Sequence, residues 1–246
     1  APVLVWSALV LTQLVSSQVV GLGFVETTGG VLHDFLLSDL LTSPPELKLT
    51  TSHAESVLFM GSPHFVSAAP LLARPRSDKQ HVRPNRHHLA LPTHGPLIAA
   101  FNSVFKWTRD AFESWVSAMQ CAANSSLWLQ TWEDAGSPWV ARIRREAVKL
   151  GLEADRIVTT RPVAMHQHID AKSVASVAFD TFAYTAHTIA ADFLWAGVPL
   201  LTLCGASPHT RVGCAIALSG HPTTGMGVGR DVDDWRRMAC RAVSDR

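Results

Sequence analysis

The stretch Ser176–Leu203, SVAFDTFAYTAHTIAADFLWAGVPLLTL, contains a complete strand–helix–strand unit. The run Ser176–Phe179 predicts a buried strand, a helix is expected from about His187 to Ala196, and Pro199–Leu203 predicts the next strand. Short apolar strands joined by helices are typical of parallel sheets that are covered on both faces. We therefore expect an α/β protein built on a Rossmann-like, doubly wound parallel sheet.

The same alternation runs through the chain from Pro96 onward. Thr108 suits the N-cap of a helix, Ser137-Pro138 opens another that Gly151 closes, and a last helix begins near Asp231. Further strands are expected at Leu97–Phe101, Leu127–Leu129 and Arg156–Val158. In such sheets ligands bind at the carboxyl ends of the strands, beside helix N-termini.

The helix predicted at His187 offers an anion site. Its free N–H groups and the positive end of its dipole favour phosphate, and the Thr188 hydroxyl and a His187 ring N–H would add donors. Asp192 lies one turn further on, where its carboxylate could accept a hydrogen bond from a sugar hydroxyl. A capped helix with an incidental histidine is the alternative, and the residues alone leave both interpretations open.

Composition indicates a globular protein with no general attraction to polyanions. The chain has 246 residues, 47% hydrophobic and 17% charged, and a formal net charge of +1, which excludes a global pull toward nucleic acid or anionic membranes. The four cysteines have no spacing suited to zinc, so we expect no metal site and free thiols in a reducing compartment.

The first 25 residues carry no charge. Their polar residues and the lack of flanking lysine or arginine favour a buried strand with irregular apolar chain, and a membrane anchor is the alternative. The missing initiator methionine indicates a fragment, and residues 6–22 look like foreign sequence. Residues 68–93 hold five basic side chains against one acid, with few aromatics, and are expected to form a linker rather than a polyanion-binding arm.

The run Ala186–Leu203, AHTIAADFLWAGVPLLTL, resembles the nucleotide-sugar loop of the O-linked N-acetylglucosamine transferases, with its His-Thr pair, its Asp and its Leu-Trp-Ala-Gly-x-Pro. Other segments resemble the family in the same order: Gly23–Gly29, Asp34–Asp39, Thr42–Pro44, Phe101–Lys106, Asn124–Leu129, Leu150–Leu152, Arg156-Ile157, Pro162–His168 and Gly205–Arg211. The resemblance covers about 22–66 and 91–242. It implies a two-lobe GT-B fold, with 94–246 as the UDP-sugar-binding C-terminal lobe, 68–93 as the linker and 1–67 as a remnant of the N-terminal lobe.

The resemblance also implies roles for single residues. Lys106 matches the catalytic lysine that pairs with the donor diphosphate and steadies the leaving UDP. His187 and Thr188 match the residues that hold the diphosphate, and Asp192 matches the acid that binds the ribose.

The base-binding positions depart more from the family. His168 matches a histidine that stacks beside the uracil, and Ala164 matches a backbone contact to that base. The loop before His168 is one residue shorter than in the family, so His166 could take its place. Ser103 stands where the family usually has glutamine and is counted with the nucleotide-sugar site.

The implied activity is transfer of N-acetylglucosamine from UDP-N-acetylglucosamine to Ser or Thr hydroxyls of proteins, with inversion, in the cytoplasm or nucleus. The resemblance implies no metal or other cofactor, no nucleic acid and no membrane. Two alternatives remain. The chain is a truncated or vestigial nucleotide-sugar-binding module, because the family's upstream lobe is absent and Val25 and Glu26 replace an acceptor-side Pro-Gly. Or it is a relative of the O-fucosyltransferases, which use GDP-fucose.

Overall fold

The computed structural model of the chain describes residues 17–21, 24–29, 33–47, 53–61, 63–67, 84–164, 167–220 and 227–244. Most of the predicted apolar segment 1–25 and of the basic segment 68–93 lies outside them. In these ranges the chain forms a three-stranded and a six-stranded sheet. No helix in the described part of the chain is long and apolar enough to cross a membrane.

The elements are numbered here in chain order. The strands are β1 (Val19–Val20), β2 (Phe35–Ser38), β3 (Ser56–Phe59), β4 (Leu97–Ala99), β5 (Ser126–Gln130), β6 (Ile157–Thr160), β7 (Val177–Phe179), β8 (Leu200–Leu203) and β9 (Val228–Gly229). The helices are α1 (Arg109–Gln120), α2 (Pro138–Lys149), α3 (His168–Lys172), α4 (Thr188–Trp195), α5 (Val212–Gly220) and α6 (Val232–Ser244). Short 3-10 turns include Val104–Lys106 and Pro208–Thr210.

Both sheets are parallel throughout, and the larger one has the strand order β6-β5-β4-β7-β8-β9. Strand β4 pairs with β5 on one side and with β7 on the other, so the direction in which the sheet grows reverses between β4 and β7. In open α/β sheets the crevice outside the carboxyl ends of the strands at this reversal is the usual ligand site. The predicted Rossmann-like fold is confirmed.

Helices cover both faces of the six-stranded sheet. On one face Ile98 of β4 packs in a buried cluster with Trp115 of α1 and Trp235 of α6. On the other face Leu97 belongs to a second cluster that includes Phe193 of α4. Alternate residues of one strand thus enter two separate cores, because side chains of a strand point to opposite faces in turn.

The predicted helix boundaries are confirmed by their caps. The Thr108 hydroxyl accepts a hydrogen bond from the N–H of Ala111 at 3.3 Å, and Ser137 caps α2 in the same way. Gly151, which follows α2, has a φ of 82°, a left-handed conformation that glycine adopts at little cost. Strand β6 runs to Thr160, two residues beyond the predicted end.

The expectation of free thiols is wrong. Cys121 is paired with Cys240, with their Cα atoms 5.4 Å apart, and Cys204 is paired with Cys214, with Cα atoms 5.3 Å apart. The first pair joins the end of α1 to α6, two helices that pack side by side although the cysteines are 119 residues apart in sequence. Connectivity of this kind depends on helix packing, and the spacing of the cysteines does not reveal it.

Candidate functional site

Asp180 organises the chain where β7 ends. Its carboxylate is fully buried and accepts four hydrogen bonds of 2.7–2.8 Å, from the backbone N–H groups of Thr181 and Ala186 and from the side chains of Asn102 and Thr202. Burial raises the pKa of Asp180, and the hydrogen bonds oppose that shift. The network ties the segments after β4 and β7 to β8, so it fixes the loop that leads into α4. Sequence reasoning gave Asp180 no role, although a carboxylate directly after a buried strand was a usable signal.

Lys106 lies on the 3-10 turn that follows β4. Its ammonium nitrogen Nζ donates to the carbonyl oxygen of Thr185 at 3.0 Å and lies 4.2 Å from the centre of the Tyr184 ring. Burial lowers the pKa of Lys106, and the Asp180 carboxylate opposes that effect. The contacts hold a half-buried cation against the loop before α4.

His187 is the N-cap residue of α4, but its side chain makes no capping hydrogen bond. Its ring stacks on Tyr184 at 5.1 Å between centroids and meets the edge of Phe65 at 5.5 Å. Its Nε2 atom is buried and has no hydrogen-bond partner among the described residues. A buried polar atom without a partner is costly, so this ring nitrogen is a natural contact for a ligand.

Lys106, Tyr184 and His187 line one cavity of about 460 Å³ at the carboxyl ends of β4 and β7. The side chains around it are Phe65, Asn102, Ser103, Phe105, Lys106, Tyr184, His187, Thr188 and Ile189. The structure therefore brings together four of the predicted site residues, Ser103, Lys106, His187 and Thr188. A cation, a helix N-terminus and a histidine ring around one space form an arrangement suited to a phosphate group.

The neutral state of His187 has a measurable consequence for stability. Burial first, and then the nearby Lys106, His64 and His209, lower the pKa of His187 from 6.5 to about 3. Below about pH 6.5 the unfolded chain binds a proton at this histidine and the folded chain does not. As the pH is lowered toward the folded pKa, the free energy of unfolding therefore decreases by up to about 1.4 kcal/mol per pH unit. We expect His187→Gln to reduce this slope between pH 6 and 4.5 in urea denaturation.

The exposed His88 provides the matched control for that experiment. His88→Gln should leave the slope of the wild type unchanged. If His187→Gln kept the full dependence of the free energy of unfolding on pH, the His187 ring could not be the buried, neutral group that causes it.

Two other predicted site residues, Asp192 and His168, belong to a second group next to the cavity. Asp192 of α4 is buried, and its Oδ2 atom lies 2.9 Å from Lys172 Nζ and 3.2 Å from His168 Nε2. Both partners belong to α3, which packs against α4. His168 is thus placed at the carboxylate, and its predicted stacking on a uracil stays a prediction. Lys172 was missed, because the sequence shows only a lysine at the end of a short helix.

Ala164 lies in the exposed loop before α3. Its carbonyl oxygen accepts a hydrogen bond from the N–H of Gln167 at 2.8 Å, so this backbone group already takes part in a turn. His166, the alternative to His168, lies outside the described residues. The predicted contact between Ala164 and a base stays a prediction.

A histidine–carboxylate pair stands at the carboxyl ends of β2 and β3. His64 Nδ1 lies 2.5 Å from Asp39 Oδ2, both side chains are buried, and the same oxygen accepts the His64 backbone N–H at 2.9 Å. Burial would raise the pKa of Asp39, but hydrogen bonds from His64 and Thr42 hold it well below its ordinary value. His64 precedes Phe65 of the cavity wall. The sequence analysis did not select His64. The signal for it was a histidine soon after one strand and an aspartate directly after the neighbouring strand.

A column of rings joins the cavity to the first sheet. The Tyr184 ring, stacked on His187, also stacks on His209 at 5.5 Å. His209 Nδ1 contacts the Glu26 carboxylate, which also accepts the His209 backbone N–H at 3.2 Å. Arg211 donates to the carbonyl oxygen of Leu41 at 2.9 Å. Glu26, one of the residues that depart from the family pattern, is therefore a link between the two sheets.

Comparison with protein families matches residues 72–246 of the chain to Glycosyl transferase family 41. The matched range contains the six-stranded sheet, every residue that lines the cavity except Phe65, and the Lys172–Asp192 pair. The chain belongs to glycosyltransferase family 41. The resemblance drawn from the sequence is confirmed.

Curated family 41 proteins are similar to the chain over most of its length. The "Probable UDP-N-acetylglucosamine–peptide N-acetylglucosaminyltransferase SEC" of Arabidopsis thaliana is 30% identical over 227 residues, which cover 92% of this chain and 22% of that protein. The similarly named SPINDLY protein of Eustoma exaltatum subsp. russellianum is 26% identical over 236 residues, and the aligned part covers 93% of this chain and 24% of that protein. The chain thus spans less than a quarter of these relatives.

Solved structures support the fold. An O-GlcNAc transferase mutant from Thermobaculum terrenum superposes with a TM-score of 0.77 at 20% identity, over 94% of this chain and 41% of that one. WaaG, a glycosyltransferase involved in lipopolysaccharide biosynthesis, superposes with a TM-score of 0.56 at 14% identity, over 85% of this chain and 53% of that one. The fold is that of GT-B glycosyltransferases.

Proposed function

We propose that this family 41 chain carries the donor site of a protein O-linked N-acetylglucosaminyltransferase. The donor is UDP-N-acetylglucosamine, the acceptors are Ser or Thr hydroxyls of proteins, and the sugar is transferred with inversion. Residues 94–246 hold the nucleotide, and residues 1–67 belong to the facing lobe. The observation that carries the proposal is the cavity lined by Lys106, the N-terminus of α4 and His187, whose buried Nε2 has no hydrogen-bond partner among the described residues.

The proposed chemistry follows from the charges around this cavity. When the bond between the sugar and the diphosphate breaks, negative charge grows on the leaving UDP. Lys106 and the dipole of α4 stabilise that charge in a partly buried site, where electrostatic interactions are stronger than in water. The neutral His187 ring and the Thr188 hydroxyl add hydrogen bonds to the diphosphate. These groups replace the charge that a metal ion would supply, so no metal is required.

Isothermal titration with UDP tests the donor site. We expect Lys106→Met to weaken UDP binding about 10- to 100-fold, because a hydrogen bond to a charged group contributes about 1.5–3 kcal/mol. The matched control is Lys149→Met, because Lys149 is exposed on α2 and pairs only with Glu146 among the described residues. The control should bind UDP as the wild type does, with or without a chelator. Absence of heat from the wild type would refute the donor site, and binding that requires a divalent ion would refute the metal-free chemistry.

A non-catalytic nucleotide-binding module is the second candidate, favoured by Val25 and Glu26, which stand where the family has an acceptor-side Pro-Gly. Transfer of labelled N-acetylglucosamine to a serine-containing peptide separates the two functions. UDP binding without transfer by these 246 residues supports the module. Preference for GDP over UDP in the same titration would instead indicate a GDP-fucose donor.

A further inference from the structure

The Lys172–Asp192 pair beside the cavity has features of a positioned acceptor rather than of a simple packing contact. Both side chains are only 6% exposed, and the Nζ–Oδ2 distance is 2.9 Å. Removing two charges from water is costly, and a well-packed apolar pair often serves stability equally well. A buried pair of this kind, one helical turn from a candidate phosphate site, therefore calls for a functional explanation.

The two oxygens of Asp192 have different surroundings. Lys172 and His168 both contact Oδ2, from the same helix α3. Oδ1 has no hydrogen-bond partner among the described residues, and it is not one of the unpaired atoms sealed from solvent. The contacts to Oδ2 fix the orientation of the carboxylate and leave a single oxygen available as an acceptor.

The placement of that oxygen matches the geometry of a nucleoside diphosphate. Thr188 lines the cavity at the first position of α4, and Asp192 lies about one turn, roughly 6 Å, further along the helix. A diphosphate at the helix N-terminus can therefore extend its ribose along the first turn toward Asp192.

We infer that Lys172 is a positioning residue for the donor ribose: it holds the Asp192 carboxylate in one orientation, so that Oδ1 accepts a hydrogen bond from one ribose hydroxyl. The inference rests on the proposed function, because it requires a nucleotide at the N-terminus of α4. Lys172 itself does not touch the nucleotide. Its loss should therefore weaken the recognition of ribose hydroxyls and leave the rest of the nucleotide site intact.

Titration with two nucleotides tests this. UDP carries both ribose hydroxyls, whereas 2′,3′-dideoxy-UDP carries neither and keeps the base and the diphosphate. We expect Lys172→Met to weaken UDP binding about tenfold, the loss of one hydrogen bond to a charged group, and to change 2′,3′-dideoxy-UDP binding by less than about twofold. A general distortion of the site would weaken both nucleotides alike.

The double variant Lys172→Met/Asp192→Asn guards against misfolding, because it leaves no buried charge without a partner. It should bind 2′,3′-dideoxy-UDP like the wild type and bind UDP no more weakly than Asp192→Asn alone. Equal weakening of both nucleotides by Lys172→Met, or unchanged UDP binding, would overturn the role of Lys172 while the donor site stands. Absence of UDP binding to the unaltered chain would overturn the proposed function and this inference with it.

Discussion

Removing the Cys121–Cys240 disulfide should lower the free energy of unfolding by about 5 kcal/mol. The bond closes a loop with a sequence separation of 119, and the loss of chain entropy in the unfolded state grows with loop length. The bond also ties the end of α1 to α6, whose Trp235 belongs to the same core as Trp115. Urea denaturation of Cys121→Ala/Cys240→Ala, compared with the oxidised wild type, measures the effect.

The second disulfide provides the comparison. Cys204 and Cys214 are separated by 10 positions, so the same argument gives about 3 kcal/mol for Cys204→Ala/Cys214→Ala. The order of the two effects is the sharper test, because the entropic argument makes the longer loop the more stabilising one. Two results together would contradict the cysteine pairing: four titratable thiols in the non-reduced wild type, and equal free energies of unfolding for the two double variants.

Replacement of Asp180 by alanine should cost about 3–5 kcal/mol of stability and abolish UDP binding. Four donors that now meet one buried carboxylate would lose their acceptor, and breaking a buried charged network costs this much in other proteins. Nucleotide binding is lost because the Ala186 N–H contact sets the loop that presents His187. Calorimetric unfolding and UDP titration of Asp180→Ala measure the two effects.

Two variants bracket this result. Asp134→Ala removes an exposed carboxylate that pairs with Arg161 on the surface, and should change stability by less than about 1 kcal/mol. Thr202→Val removes a single donor to Asp180 and should cost about 1–3 kcal/mol. If Asp180→Ala were as stable as Asp134→Ala, the network would not hold the site.

The sequence predicts the fold well because the signals for it are local. Apolar runs such as Leu127–Leu129 are buried on both faces, and this pattern distinguishes strands of a covered parallel sheet from those of an exposed one. Cap residues such as Thr108 and Ser137 mark helix starts by chemistry that acts within three residues. The strand order follows from none of these signals, since it depends on which strands meet after the chain has folded.

The site is predictable in part for the same reason. Lys106 and His187 each follow a strand, and parallel strands bring their carboxyl ends to one edge of the sheet. The partners of Asp192 and the contact between His64 and Asp39 are different, because they join segments 20 or more residues apart through side-chain packing. The sequence shows the separate residues, but it does not show which of them meet.

The contact between Glu26 and His209 couples the first sheet to the walls of the cavity. Phe65 brings the first sheet to a cavity whose other walls belong to the second, and Glu26 ties the two together through the ring column. A nucleotide that fills the cavity therefore stabilises both sheets at once. At a hundred times its dissociation constant it adds about 2.7 kcal/mol to the folded state. Nucleotides and nucleotide sugars can accordingly be ranked by thermal shift on the unlabelled chain, without an acceptor protein.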